Sequence, residues 1–235
     1  MLTVDEYRDQ VLRGIFVLSP IELPLSSAHG CVLAADVASP WPLPSFDNSS
    51  MDGYALIAAD IAGAAPEHPV ELEVVDDVPA GFRSTERVTT GRAIRIMTGA
   101  PMPDGADAVV PVERTDGGVE LVLVHQPVQV GAHIRRARED VVAGEKVLSK
   151  GTLIGARQAA ILAAVGCGLV FVHPRPRIAV ISTGSELVEP GLPLRHGLIS
   201  DSNSYLLAAA AREARADACR VRPIVDDERL FAHTV

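Results

Sequence analysis

"RPRIAVISTGSEL", Arg175–Leu187, is the stretch whose reading decides the fold class. An apolar run from Ile178 to Ile181 ends in a Thr183-Gly184 turn, as a buried strand does. Just downstream, "SDSNSYLLAAAAREARA", Ser200–Ala216, reads as a helix with Asp201 or Ser202 as its N-cap. "CRVRPIV", Cys219–Val225, then reads as a second strand ending at Asp226 and Asp227. Strand, helix and strand in this order form a βαβ unit. Parallel strands need such a crossover, and ligands gather at their carboxyl ends.

Upstream of Pro174 the pattern is different. Between Glu71 and Val130 short Val-rich runs alternate with Gly and Pro turns: "ELEVVDDVPAG" from Glu71, "RAIRIMTGAPMPDGADAVVPVE" from Arg92 and "GGVELVLVHQPVQVG" from Gly117. Such runs predict a small β-domain. Around it the pattern is helical. Thr3 and Glu6 make a capping box opening a helix to about Gly14. "SSAHGCVLAADV", Ser26–Val37, reads as a second short helix passing into an extended segment, and "GARQAAILAAVG", Gly155–Gly166, as a helix with an alanine-rich face. The predicted fold is therefore mixed α/β and multidomain. A small all-β domain, residues 46–138, is inserted in an α+β N-terminal region, residues 1–45 and 139–174. Residues 175–235 begin a Rossmann-like α/β domain.

Composition narrows the functional classes. The 235 residues are 48% hydrophobic, enough for a real core, and 22% charged, which is ordinary for a globular chain. A net charge of -9 argues against a general nucleic-acid binder, which would show a broad basic face, but leaves room for one local anion site. Cys31, Cys167 and Cys219 are isolated and form no C-x-x-C pair, so neither a zinc knuckle nor a disulfide framework is indicated. The polar start is unlike a signal peptide, and the longest apolar stretch falls short of the roughly 20 residues of a membrane span. A cytoplasmic protein is expected, without membrane or nucleic-acid partners.

Four polar clusters are candidates for chemistry. The first is "PLPSFDNSSMDGYAL", Pro42–Leu56, in which Asp52 reads either as a metal ligand or base, or as an Asx-turn entering a strand. The second puts Thr98 and Gly99 at the end of a strand, where backbone N–H groups and a hydroxyl meet a ligand or merely connect strands. The third, "HIRRARED", His133–Asp140, offers Arg135, Arg136 and Arg138 to a phosphate, with Asp140 holding an arginine or a cation; a solvated charge run is the alternative. The fourth joins Thr183, Gly184, Ser185 and Glu186 at a strand end with Asn203 and Ser204 at a helix start and Asp226 at the next strand end. It suits an oxyanion at a helix N-terminus as well as ordinary capping. Carboxylates beside such groups suit a Mg²⁺–phosphate site, because Mg²⁺ takes one or two carboxylates and completes its shell with water and phosphate oxygens.

In this order the four stretches resemble the molybdopterin molybdenumtransferase family, of the MoeA and gephyrin E-domain type. The Pro42–Leu56 loop is similar to the family's signature loop, "IRIMTGAPMPDGADAVVPVE" to its second motif and "HIRRARED" to its third. "ISTGSELVEPG" with "ISDSNSYLL" is similar to the start of its molybdopterin-binding domain. The resemblance implies insertion of molybdate into adenylylated molybdopterin with release of AMP, in a Mg²⁺-dependent step. It implies an elongated homodimer, with the active site between one subunit's binding domain and the other's N-terminal part, and a molybdopterin adenylyltransferase as upstream partner. Residues 1–45 and 139–174 then become a dimerisation domain, and 175–235 an incomplete molybdopterin-binding domain. Carried over by motif, Asp52, Glu186 and Asp226 are catalytic, and Glu186 and Asp226 bind the metal. Thr98, Arg136, Asp140, Thr183, Gly184, Ser185, Asn203 and Ser204 bind substrate. Ser185 stands where the family usually has Asp. The family's later glycine-rich and proline-glycine motifs and its C-terminal β-domain do not occur before Val235, so the chain alone is expected to be inactive. A non-catalytic dimerising scaffold of the same fold is the alternative.

Overall fold

The computed structural model describes residues 2–224, 229 and 232. The chain forms two compact units, Ala38–Val147 and, from its two ends, Met1–Val37 with Leu148–Val235. The inner unit is wider than the 46–138 read from sequence. Leu43 bridges to Val141, and Ser39 and Gly144–Glu145 exchange backbone hydrogen bonds, so the flanks pair with one another. No helix among the described residues is long and apolar enough to cross a membrane.

The inner unit is built on a five-stranded sheet. Its strands run Ala108–Pro111, Gly53–Leu56, Arg92–Ile96, Val70–Val78 and Leu121–Val124 across the sheet. Only Val70–Val78 and Arg92–Ile96 are parallel; the other neighbours are antiparallel. Side chains alternate sides along a strand, so a sheet covered on both faces has strands apolar at every position. Gly53–Leu56 and Ala108–Pro111 are buried throughout for that reason. Tyr54, Leu56, Ala93, Val110 and Val122 pack on one face, and Ala55, Ile94, Ile96 and Val109 on the other. A register shift between Val74 and Asp77 lets one strand serve both faces, with Leu72 on the first and Val78 on the second.

In the outer unit, Ile21–Pro24 and Val32–Leu33 pair on either side of Leu169–His173. Helix Ala156–Ala164 contributes Leu162 to a core with Leu33, Ile154, Val170 and Val172. Cys31 lies in that core, and all three cysteines are free. Helix Val4–Arg13 has the expected capping box from Thr3 and Glu6, yet buries no residue. The expected helix after Ser26 is only the 3-10 turn Leu25–Ser27. The backbone N–H groups of Gly30 and Leu33 donate to Ile154 and Thr152 instead of to their own preceding turn. The βαβ reading of the tail holds. Arg177–Val180 and Asp217–Arg220 are parallel, joined through helix Asn203–Glu213, and the pairing is resumed by a bridge between Thr183 and Ile224.

Candidate functional site

In the inner unit three polar stretches far apart in sequence converge. Asn48 and Ser49 pair antiparallel with Arg135 and Ile134, and Asn48 also bridges to Pro101. Gly99 closes the strand-end turn in the left-handed region, φ +83°, and its N–H donates to Ser49 O at 2.8 Å. A cleft of about 520 Å³ results, lined by Pro44, Asn48, Gly99, Arg135, Glu139 and Asp140. Neither the Arg135 guanidinium nor the Asp140 carboxylate has a partner among the described residues, so both are available to a ligand.

Asp52 lies next to this cleft through its neighbour across the turn. Its Oδ1 accepts from the Thr98 N–H and from Thr98 Oγ1, both at 2.7 Å. The Thr98 hydroxyl, its N–H and the charge of Arg95 hold the Asp52 carboxyl below its ordinary value. The carboxylate is therefore ionised, fixed and exposed, with one oxygen left free of these two bonds. Its position depends on Gly53. A Cβ there would come within 2.0 Å of Val110 O, so only glycine lets the Asp52 loop enter the sheet at this point. Close backbone approach is what Gly53 supplies.

Arg136 and Asp140, read together from sequence as ligand groups, have separate places. Arg136 Nη1 donates to Asp47 Oδ2 at 2.6 Å, and Ala137 N donates to Asp47 Oδ1 at 2.7 Å. The Ala137 N–H and then Arg136 hold Asp47 below the ordinary carboxylate range. Arg136 thus ties the third stretch to the first, while Arg135 faces the cleft with Asp140. Sequence reasoning passed over Asp47, Asn48 and Glu139. The density of polar residues around Asp47 was the only signal.

The tail carries the remaining candidates. Thr183, Ser185, Glu186 and Asn203 are exposed around the turn, and Gly184 is buried. The Glu186 carboxylate folds over Gly184, where a Cβ would meet Oε2 at 2.8 Å. Ser204 differs from the reading as a substrate-binding group, because it is fully buried. Its hydroxyl donates to Asp201 Oδ2, and its N–H to Asp201 Oδ1 at 3.1 Å. Asp201 thereby caps the helix, though the residue at the N-cap position is Ser202, whose side chain makes no capping bond. Arg220 completes the cluster. It reaches Ser204 Oγ at 3.1 Å and Glu189 at 2.6 Å, and stacks over the Tyr205 ring at 4.0 Å. Burial pushes Asp201 up, but donors from Ser204 and Ser182 and the charge of Arg220 outweigh it and leave the carboxyl low. Asp226 lies outside the described residues.

No group of three or more His, Cys, Asp or Glu side chains able to hold a metal occurs among the described residues. Glu186 is a single exposed carboxylate beside a strand end. That fits Mg²⁺, which needs only one or two protein carboxylates, and does not fit an all-protein metal cage.

Comparison with known proteins adds the family. Residues 2–166 match the family model described as the MoeA N-terminal region, domains I and II. Molybdopterin molybdenumtransferase 2 of Mycobacterium tuberculosis is 47% identical over 231 residues, covering 98% of this chain and 57% of that protein. Molybdopterin molybdenumtransferase 1 of the same organism is 38% identical over 242 residues, covering 97% of this chain and 57% of that one. The crystal structure of a molybdopterin biosynthesis MoeA protein from Pyrococcus horikoshii superposes with a TM-score of 0.73 at 35% identity, covering 93% of this chain and 59% of that one. The chain thus spans a little over half the length of the curated relatives it matches.

Proposed function

Because the chain belongs to the MoeA family by its N-terminal region, we propose that it serves molybdenum cofactor biosynthesis, as part of a molybdopterin molybdenumtransferase. The reaction is insertion of molybdate into adenylylated molybdopterin with release of AMP. The observation that carries this reading is the fixed, ionised Asp52 held by Thr98 beside a cleft that presents Arg135 and Asp140.

Each group has a role that follows from its chemistry. Arg135 presents a planar guanidinium suited to two oxygens of a phosphate or molybdate oxyanion. Asp52, whose carboxyl Thr98 holds below its ordinary value, stays a carboxylate at neutral pH and orients a donor through its second oxygen. Gly99 leaves open backbone at the cleft wall, and Asp140 sets a charge limit on the anion's position. In the tail, Glu186 would hold Mg²⁺ together with Asp226. Bound there, the cation would neutralise charge on the substrate phosphates. Thr183, Ser185 and Asn203 offer hydroxyl and amide groups to the same phosphates. The substrate would come from a molybdopterin adenylyltransferase, and the protein would work in the cytoplasm as a homodimer. Helix Val4–Arg13, whose apolar side chains are all uncovered, supports the dimer.

A chimera tests the proposal. The 235 residues replace the matching segment of the Mycobacterium tuberculosis molybdenumtransferase 2, and AMP release from adenylylated molybdopterin is followed with molybdate and Mg²⁺. Turnover that Asp52→Ala abolishes is the expected result. A folded chimera with no turnover, or one indifferent to Asp52→Ala, overturns it.

A further inference from the structure

In the outer unit, three arginines and a histidine, none of them assigned a role above, face one small cleft. Its volume is about 320 Å³, and His29, Gly30, Gly155, Arg175, Arg212 and Arg215 lie along its walls together with Leu153 and Ile154. No carboxylate lines it, in a chain whose net charge is -9. The side chains of Arg175, Arg215 and His29 make no hydrogen bond or ion pair with any described residue, and Arg212 is fixed by donating to Ala218 O at 2.8 Å. Like charges so gathered repel one another unless an anion sits between them.

Two backbone features hold the arginines there. Gly30 has φ +80°, and a Cβ at that position would meet Arg175 Cδ at 3.2 Å, so its absence makes room for the arginine stem. Arg215 follows the end of helix Asn203–Glu213 with φ +68°. That left-handed position after a helix is normally glycine, because a Cβ there crowds the backbone. An arginine held against this preference turns its side chain to the cleft. Gly155 also opens helix Ala156–Ala164, whose N-terminal partial charge has the same sign as the arginines.

We propose that this cleft binds a phosphate-type oxyanion, free or carried as a phosphate monoester, at a site separate from the one proposed for molybdenum insertion. Guanidinium forks match tetrahedral oxyanions through paired N–H donors. The volume suits a single phosphate group with a small substituent.

Calorimetric titration of the 235-residue chain with inorganic phosphate, at ionic strength fixed with chloride, tests it. Saturable binding of one ion per chain is expected. Arg175→Ala and Arg215→Gly should each weaken it roughly tenfold, the loss of one charge-assisted hydrogen bond. Arg215→Gly should do so with a melting midpoint unchanged or raised, which separates loss of the ligand from loss of the fold. Competition by glycerol 3-phosphate identifies a monoester as occupant, and its exclusion identifies the free ion. No saturable binding, or binding that both variants leave intact, overturns the proposal.

Discussion

Replacing Asp201 by alanine tests the tail most directly, because that one buried side chain joins a helix, a strand and the turn before Glu186. Asp201 is 1% exposed. Its carboxylate accepts from the Ser204 N–H, the Ser204 hydroxyl and Ser182 Oγ, with Arg220 Nη1 at 3.5 Å. Losing a helix cap costs about 1 kcal/mol. A buried donor left unsatisfied costs about 1–3 kcal/mol. The Ser204 N–H and hydroxyl are both buried, whereas Arg220 keeps Glu189 and Tyr205 as partners and Ser182 is only half-buried. The expected loss is therefore about 2–4 kcal/mol, confined to the tail, against a whole-domain stability of roughly 5–15 kcal/mol. Hydrogen exchange resolved by residue is the assay. Protection should fall across Asn203–Glu213 and Asp217–Arg220 and stay unchanged in the sheet of the inner unit. Asp201→Asn, which keeps an acceptor for the Ser204 N–H but not the charge, should lose about half as much. Because the folded carboxyl titrates below its unfolded value, its contribution is complete above the ordinary carboxylate range and is lost as pH falls through the folded pKa. Wild-type tail protection should therefore drop in acid by more than that of Asp201→Ala, whose remaining acid sensitivity comes from the Glu189–Arg220 pair. Unchanged protection in Asp201→Ala at neutral pH would refute the reasoning.

Other outcomes follow from the same geometry. Gly53→Ala should destabilise the inner unit by about 3 kcal/mol or more, since its methyl meets Val110 O at 2.0 Å and backbone has to move; a urea midpoint equal to wild type would count against this. Asp52→Ala should leave that midpoint unchanged, because the carboxylate is exposed, while it removes activity in the chimera. Asp47→Ala should speed amide exchange at Ala137, whose N–H loses its acceptor, and the wild type should show the same acceleration only in acid, below the ordinary carboxylate range. The tail from Arg177 should be less protected than the sheet of the inner unit, with Tyr205, Leu206 and Leu207 uncovered on its helix; protection throughout it equal to that sheet's in a dilute monomer would contradict this. Val180 and Ile224 are buried, so the weakness lies in the helix face and Ile178.

Features governed by neighbours in the chain were legible in the sequence. The Thr3–Glu6 capping box and the helix after Gly155 depend on residues a few positions apart, as do the separate strand and helix patterns whose order in the tail gives the βαβ unit, and each is present. The Val-rich runs showed a sheet, and the four ordered motifs showed the family. Tertiary structure alone decided which polar residues line the cleft. Arg136 and Asp47 are 89 positions apart, and their pairing turned the expected phosphate clamp into a tie between loops, leaving Arg135 at the cleft. Ser204 became a buried acceptor for Arg220, and the segment after Ser26 gave up a helix because residues near Ile154 offered its N–H groups better-placed carbonyls. The reason is the same in each case. A hydrogen bond between distant residues depends on the path of the whole chain, and a linear pattern records only what lies within a turn or two of itself.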